Sequence, residues 1–271
     1  MPENLFEVKG KTIVITGGLG QLGRQFSLSL LRSGANIVIL DKKTDSKILN
    51  SYFKDYLGRK LIFLNADVTK STSLKKALKA ITDKFPLPYG LINNAGIDSP
   101  PSALTELNGP FETYPEAAWD KVLEVNLKGV FLCSQVFGAA MAKAKRGSII
   151  NISSIYGLVS PDQRVYAYRN KRKKEFFKPV SYSVSKSGIL NLTRYLATYW
   201  ANSGVRVNTL TLGGVFNNQD KEFISAYKNR VPLERLAKED EYNGAIIFLL
   251  SDASSYMTGS NLVIDGGWIA W

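Results

Sequence analysis

Apolar and polar positions fall in blocks along the chain, and the blocks switch period. Short apolar runs at 12–16, 36–40, 61–64, 89–92 and 148–152 read as buried strands. Between them the pattern turns helical: through Leu31, over roughly 45–57, and over 69–85, where Leu74, Ala77, Leu78 and Ile81 share one face. Further helices are expected around 117–144 and 182–201, with a short one at 221–229. Strands alternating with helices imply right-handed crossovers and a mostly parallel sheet covered on both faces. The expected fold is therefore α/β, one domain over residues 1–271. Ligands of such sheets sit at the C-terminal ends of the strands. Asp41, Asp67, Asn94 and Ser154 all stand at such ends.

The first strand runs into Gly17-Gly18-Leu19-Gly20-Gln21-Leu22-Gly23 and then into a helix. Strand, glycine loop and helix together are the context a dinucleotide fingerprint requires. The glycines let the backbone turn tightly and approach a pyrophosphate, whose charge the helix N-terminus favours. The glycine spacing alone also fits an ordinary strand–helix turn. The second strand ends in Asp41, about 20 residues on, where an acid accepts hydrogen bonds from the adenosine ribose and repels a 2′-phosphate. That favours NAD over NADP, with Lys42 and Lys43 placed to soften the preference.

Composition narrows the chemistry. The chain has 271 residues, enough for one sizeable core. No signal peptide is seen and no apolar run reaches membrane-spanning length, so no membrane partner is expected. The single cysteine, Cys133, excludes an intrachain disulfide and points to a reducing compartment, the cytoplasm. There is no histidine, so no metal site is expected and acid–base work at neutral pH falls to tuned Tyr, Lys, Asp or Glu. Tyr182 and Lys186 are spaced to share one helical face, where an ammonium stabilises a phenolate. Ser154, closing the fifth apolar run, offers a hydroxyl at a strand end. The net charge of +12 is partly local: Arg164, Arg169, Lys171, Arg172, Lys173, Lys174 and Lys178 face Glu175 alone between 164 and 178.

Thr16 to Gly23, Asp67-Val68, Asn93-Asn94-Ala95-Gly96, Asn126 within Val125-Asn126-Leu127-Lys128-Gly129, Ser154, Tyr182 with Lys186, Arg206-Val207-Asn208 and the ending Leu262-Val263-Ile264-Asp265-Gly266-Gly267 occur in this order. Taken together, over nearly the whole chain, they resemble the classical short-chain dehydrogenase/reductases. The resemblance implies a single doubly wound Rossmann domain with a mostly parallel seven-stranded sheet, a nicotinamide cofactor (NAD, with NADP possible), and the tetrad Asn126, Ser154, Tyr182 and Lys186. Tyr182 would exchange a proton with the substrate oxygen, Lys186 would lower its pKa and hold the nicotinamide ribose, Ser154 would orient the oxygen, and Asn126 would support Lys186. The implied cofactor contacts are Gly17, Gly20, Gln21, Leu22, Gly23, Asp41, Asp67, Val68, Asn94, Ala95, Gly96, Tyr182, Lys186, Gly213 and Val215. Two positions depart from the family pattern. Gln21 stands where classical members have glycine, giving the glycine spacing of the extended members. Leu212-Gly213-Gly214-Val215 replaces a Pro-Gly motif, with Asn217 where a threonine often lies.

For the substrate, the resemblance places a basic insertion at 156–180 near the active-site mouth and a lid at about 213–235. Ser154, Arg164, Tyr182, Gly214 and Asn217 are the candidate contacts. Arg164, Arg169 or the 171–174 run would bind an anionic sugar; the alternative is a solvated loop without a ligand. Asn217, Asn218 and Gln219 suit a hydroxyl-rich ligand, and 97–115 adds a rim. The stretches 191–200 and 267–271 resemble reductases of bacterial surface-sugar biosynthesis, with gluconate-type sugar-acid dehydrogenases and 3-oxoacyl-type reductases as alternatives. Helices around 117–144 and 182–201 are expected to make a homodimer or homotetramer. Trp268 and Trp271 would be buried in a neighbour or folded over the site. A non-catalytic dinucleotide sensor or scaffold is the reading from another class; its basic loop is too short to expect nucleic acid.

Overall fold

The computed structural model describes residues 4–98, 107–170 and 176–271. Seven strands form one sheet: β1 (Thr12–Thr16), β2 (Asn36–Asp41), β3 (Leu61–Asn65), β4 (Gly90–Asn93), β5 (Gly147–Ser154), β6 (Val205–Leu212) and β7 (Asn261–Ile264). Their spatial order is β3-β2-β1-β4-β5-β6-β7, and every pairing is parallel. Because both faces are covered, β1 is buried at every position rather than alternating. Ile13 and Ile15 point into one core with Ile37, Ile39 and Ile150, while Val14, Val38 and Ile149 point into the other.

Helices α1 (Gln21–Arg32), α2 (Ser46–Phe53), α3 (Ser71–Thr82), α4 (Glu116–Lys143), α5 (Val180–Trp200), α6 (Lys221–Lys228) and α7 (Asn243–Leu250) complete the layers. Phe26 and Leu30 of α1 and Ile246 and Leu249 of α7 fill the first core. Leu74 and Ile81 of α3, Phe137 and Met141 of α4, and Leu196 and Trp200 of α5 fill the second. Two expected helices are shorter than their patterns. The α2 helix opens on Asp45, whose carboxylate accepts from the Ile48 amide at 2.9 Å. It stops at Phe53, ahead of a turn closed by Gly58 at φ +73°. The α3 helix starts late because Thr69 is held in a turn by Asp67. By length and composition α4 is the one helix among the described residues that could cross a membrane, which reading runs of consecutive apolar residues had not brought out. Its apolar face is accounted for by the core: Val130, Phe137 and Met141 are buried.

The α4 helix is not regular. Two π-type turns, Glu124–Lys128 and Ser134–Gly138, widen it, and the first contains Asn126. At Gly138 an added Cβ would lie 2.4 Å from the Trp200 ring, so the missing side chain lets α4 and α5 pack closely. A third cluster joins three distant segments above the strand ends. Tyr156, Val165, Tyr166 and Phe176 of the insertion meet Tyr227, Val231 and Leu236 of the lid and Trp268 of the tail. Trp268 is therefore folded onto its own chain, with its ring centroid 4.6 Å from that of Tyr227, whereas Trp271 is 77% exposed.

The chain reverses its winding at β1. It runs outward to β3, then returns to place β4 on the other side of β1. The loops after β1 and β4 therefore diverge around a crevice at the strand C-termini, where doubly wound sheets bind ligands.

Candidate active site

Strand β5 delivers Ser154 to the carboxyl edge of the sheet, and the second residue of the α5 segment Ser181–Tyr182 delivers the phenol opposite it. The Ser154 side chain reaches the Tyr182 phenol closely enough to favour its ionised form, and its Oγ accepts from the Tyr156 amide at 3.2 Å. One turn further along α5, Lys186 is buried, and its ammonium donates to the Ile152 carbonyl at 2.9 Å. Lys186 Nζ stands 5.8 Å from the Tyr182 ring centroid. Desolvation draws the Lys186 pKa down to about 8, against the nearby Asp98 carboxylate. Burial pushes the Tyr182 phenol well above its ordinary range; Asp98 adds to this and the Ser154 side chain opposes it. Among the groups that shift the phenol in this arrangement, loss of solvent comes first.

Asn126 is fully buried and holds Ile97 by both backbone groups. Its Oδ1 accepts from the Ile97 amide at 2.8 Å and its Nδ2 donates to the Ile97 carbonyl at 2.9 Å. The same amide group donates to Ser185 Oγ at 3.2 Å. A Cβ at Gly96 would sit 3.4 Å from Asn126 Oδ1 and 3.7 Å from Lys186 Nζ. The four predicted catalytic residues are brought together, with Gly96 keeping clear the space in which Asn126 and Lys186 converge.

The crevice beside them fits a dinucleotide. Gly17 has φ +62°, and a Cβ there would lie 2.8 Å from Ala95 Cα. A Cβ on Gly23 would lie 2.4 Å from the Gly17 carbonyl oxygen, so the loop closes tightly only because side chains are missing. Gly20 donates its amide to the Gly17 carbonyl at 3.1 Å, and Gln21, Leu22 and Gly23 open α1. Thr16 locks this loop to the neighbouring one: its Oγ1 accepts from the Asn94 and Ala95 amides at 3.1 and 3.0 Å. Asn94 returns hydrogen bonds to the Thr16 and Gly17 carbonyls, both at 3.1 Å. Asp41 accepts from the Leu19 amide at 3.2 Å, which holds an acid over the loop where a ribose diol would lie. Lys42 pairs with Asp67 at 3.2 Å. Burial raises the Asp67 pKa, but Thr69 and Lys42 outweigh it and hold the carboxyl below its ordinary value. Val68 packs toward Gly129 of α4.

A family model described as Enoyl-(Acyl carrier protein) reductase matches residues 20–269. A NAD-dependent glycerol dehydrogenase of Listeria innocua is 30% identical, over 97% of this chain and 95% of that protein. Among solved structures, a short chain dehydrogenase from Leptospira borgpetersenii with bound NAD+ superposes with a TM-score of 0.84 at 33% identity, covering 99% of this chain and 96% of that one. The chain belongs to the short-chain dehydrogenase/reductase family. It is an NAD(P)-dependent oxidoreductase that interconverts an alcohol and a ketone. A gluconate 5-dehydrogenase from Burkholderia cenocepacia in complex with NADP and tartrate is similar at TM-score 0.83 and 26% identity, with 98% of both chains covered.

Two departures of this short-chain dehydrogenase/reductase from its family pattern now have partners. Gln21, in the place of a glycine, donates its side-chain amide to the Phe216 carbonyl at 2.8 Å and so ties the glycine loop to the lid. Gly213 packs where a Cβ would lie 2.8 Å from Asp265 Cα, and its carbonyl accepts from the Tyr242 hydroxyl at 3.4 Å. Gly214 donates its amide to the Tyr227 hydroxyl at 2.5 Å, and a Cβ there would clash with that ring. Gly214 is thus backed by Tyr227 on one side and stays partly exposed on the other. Val215 accepts from Gln219 at 2.7 Å, and Gln219 in turn accepts from the Asn217 amide at 2.8 Å, so the polar lid residues partly satisfy one another. The Asn217 side chain remains exposed.

Arg164 is not drawn into the site: it is exposed and donates to both oxygens of Asp162 at 2.8 Å. The 171–174 run lies outside the described residues, as does 99–106 of the expected rim. Sequence reasoning missed Asp98, Ser185 and Ser153, whose Oγ donates to the Lys186 carbonyl at 2.9 Å. It also missed a polar chain under the site. Asn93 donates to Asn151 at 2.8 Å, and Asn151 donates to Thr193 at 2.9 Å. A polar residue midway along an apolar strand was the available signal, since burial obliges each to find a partner.

Proposed function

We propose that Tyr182 is the general acid and base of a dehydrogenase acting on a hydroxyl-rich, sugar-like alcohol. In reduction its phenol gives a proton to the substrate oxygen, and in oxidation it takes one back. The observation that carries this reading is the Tyr182 phenol set between Ser154 and a buried, carbonyl-anchored Lys186. Two donors then converge on one reacting oxygen: Ser154 orients it, and Tyr182 moves the proton. When bound, the nicotinamide supplies or accepts the hydride. Lys186 contributes a cation beside the phenol, and Asn126 fixes the loop that carries Gly96 and Ile97. Gly17, Gly20, Gln21, Leu22, Gly23, Asn94 and Ala95 would hold the pyrophosphate and flanking ribose, and Gly213 and Val215 border the nicotinamide end. Asp41 supports a preference for NAD, and the pairing of Lys42 with Asp67 leaves that lysine less able to recruit a 2′-phosphate.

The Listeria relative, named for glycerol, supports a polyol, and the Burkholderia structure, named for gluconate, supports a sugar acid. The narrower likeness to surface-sugar reductases rests on 191–200 and 267–271, where Trp200 and Trp268 have packing partners of their own. Nucleotide sugars therefore belong in the substrate panel. The reading keeps the chain in the cytoplasm, in line with a single, buried cysteine, and assembled as a homodimer or homotetramer.

The test is Tyr182→Phe, which removes the transferable proton and leaves the ring. Turnover is expected to fall by at least ~10²-fold, while NADH titrated by fluorescence binds as in the wild type. Full residual turnover would remove Tyr182 from this role.

A further inference from the structure

Three cations of the insertion fall among the described residues, and each is held by a carboxylate. Arg164 is held by Asp162, Arg169 lies 3.7 Å from Asp220, and Lys178 donates to Asp98. The third pair differs from the others in where it stands. Lys178 Nζ lies 4.8 Å from the centroid of the Tyr182 ring, and Lys178 itself precedes the α5 helix, which starts at Val180. Its side chain is 6% exposed, whereas that of Asp98 is 41% exposed. Gln163 pins the Lys178 backbone on both sides: Oε1 accepts from its amide at 2.8 Å, and Nε2 donates to its carbonyl at 3.3 Å. Asp98 follows directly on Ile97, whose backbone Asn126 holds. Both members are therefore positioned by the same scaffold as the tetrad. The Asp98 carboxylate is felt inside the site, where it raises the Tyr182 phenol and props up the Lys186 ammonium.

We infer that Asp98 and Lys178 are the specificity pair of this active site, selecting a substrate with a hydroxyl next to the reacting carbon, as in a polyol or its ketose, over an acid whose carboxylate takes that hydroxyl's place. The inference rests on the oxidoreductase reading above and says which group must adjoin the reacting carbon. A carboxylate only accepts hydrogen bonds and an ammonium only donates them. A hydroxyl does both, so one neighbouring hydroxyl can donate to Asp98 while its oxygen accepts from Lys178. A substrate carboxylate satisfies Lys178 alone and meets Asp98 as a like charge, and such juxtaposition rejects a partner. An analogue without the neighbouring hydroxyl leaves the pair without its third member and is rejected for that reason. The cationic insertion, on this account, does not attract anions at the reacting centre, because its described charges are already matched.

The experiment compares wild type, Asp98→Asn, Lys178→Met and Lys178→Arg on polyols of increasing length and on 2-hydroxy acids of the same chain lengths that carry no further hydroxyl, with NAD. NADH titration of each variant reports that the cradle is folded. Wild type is expected to favour the polyols in kcat/KM. Asp98→Asn should lower kcat/KM on polyols by roughly 10- to 100-fold, mainly through KM, and narrow the gap to the acids. Lys178→Met should lower polyol turnover similarly, and Lys178→Arg should recover most of it. A wild type that prefers the acids, or an Asp98→Asn variant that loses the same factor on both series, overturns the assignment. A wild type that oxidises no alcohol and reduces no carbonyl overturns instead the oxidoreductase reading, and the specificity pair falls with it.

Discussion

Lys186 is held in a place that taxes its charge. Its ammonium has one carbonyl partner, that of Ile152, and desolvation brings its pKa from 10.5 to about 8. The consequence for stability has a definite sign. Between about pH 8 and pH 10.5 the unfolded chain binds a proton at this position that the folded chain has released. Stability therefore rises with pH across that window, by up to ~1.4 kcal/mol per pH unit for one group. Tyr182 works in the opposite direction once the unfolded phenol ionises, near its ordinary value of 10.0, so the rise is read below that point. Denaturant unfolding at several pH values from 8 to below 10 should show a steeper rise for wild type than for Lys186→Met. Parallel profiles would mean that Lys186 keeps its charge at no cost. The same residue scale explains Asn126. It is a capping-type side chain inside a helix, and it is accommodated because a π-type turn frees it to hold Ile97 rather than its own backbone.

At the scale of elements, the glycine loop was the most legible part of the site and its connection to the lid the least. Gly17, Gly20 and Gly23 could be placed from sequence because their spacing follows local backbone needs: a left-handed turn at Gly17 and a close approach at Gly23. Gln21 could only be marked as a departure, since its partner, the Phe216 carbonyl, lies 195 residues away. Asp98 and Lys178, 80 residues apart, escaped for the same reason: periodicity reports which face a residue occupies and says nothing about which distant group meets it there. Two substitutions separate the roles of loop and lid. Gly23→Ala places a methyl 2.4 Å from the Gly17 oxygen, so the loop must shift; a loss of about 1–3 kcal/mol of stability with loss of NADH binding is expected in thermal melts and fluorescence titration. Gln21→Ala removes only the exposed bridge. It should cost about 1 kcal/mol or less, leave the β1–α1 amides protected, and speed hydrogen exchange in 216–228. Unchanged exchange in that segment would mean that the lid is held by its aromatic packing alone.

The whole molecule unites these elements through its strand order. Reversal of the winding at β1 brings the loops after β1 and β4 to opposite sides of one crevice, and Thr16 bonds them across it. The alternation of strands and helices made a parallel sheet readable in advance, while its spatial order, β6, β7 and the aromatic cluster over the strand ends needed either the family likeness or the structure itself. One surface is left whose composition fits the homo-oligomer proposed above. The outer face of α4 and α5 carries a groove of about 880 Å³ lined by Ala117, Leu123, Leu127, Phe131 and Leu192, with Asp120, Lys121, Glu124 and Lys128 at its edge. Phe131 is 46% exposed, and Tyr195 and Tyr199 stack on one another in solvent at 61% and 66% exposure. An apolar centre rimmed by charges of both signs is the composition of a protein interface, and on a two-fold axis the acids of one copy can meet the lysines of the other. Light scattering after size exclusion should give wild type the mass of a dimer or tetramer. Phe131→Glu, which puts a charge at the centre of the groove and touches none of the four catalytic residues, should reduce that mass while NADH binding persists. A monomeric wild type would leave the exposed aromatic face without this explanation, and an unaltered mass for Phe131→Glu would move the interface to another side of the molecule.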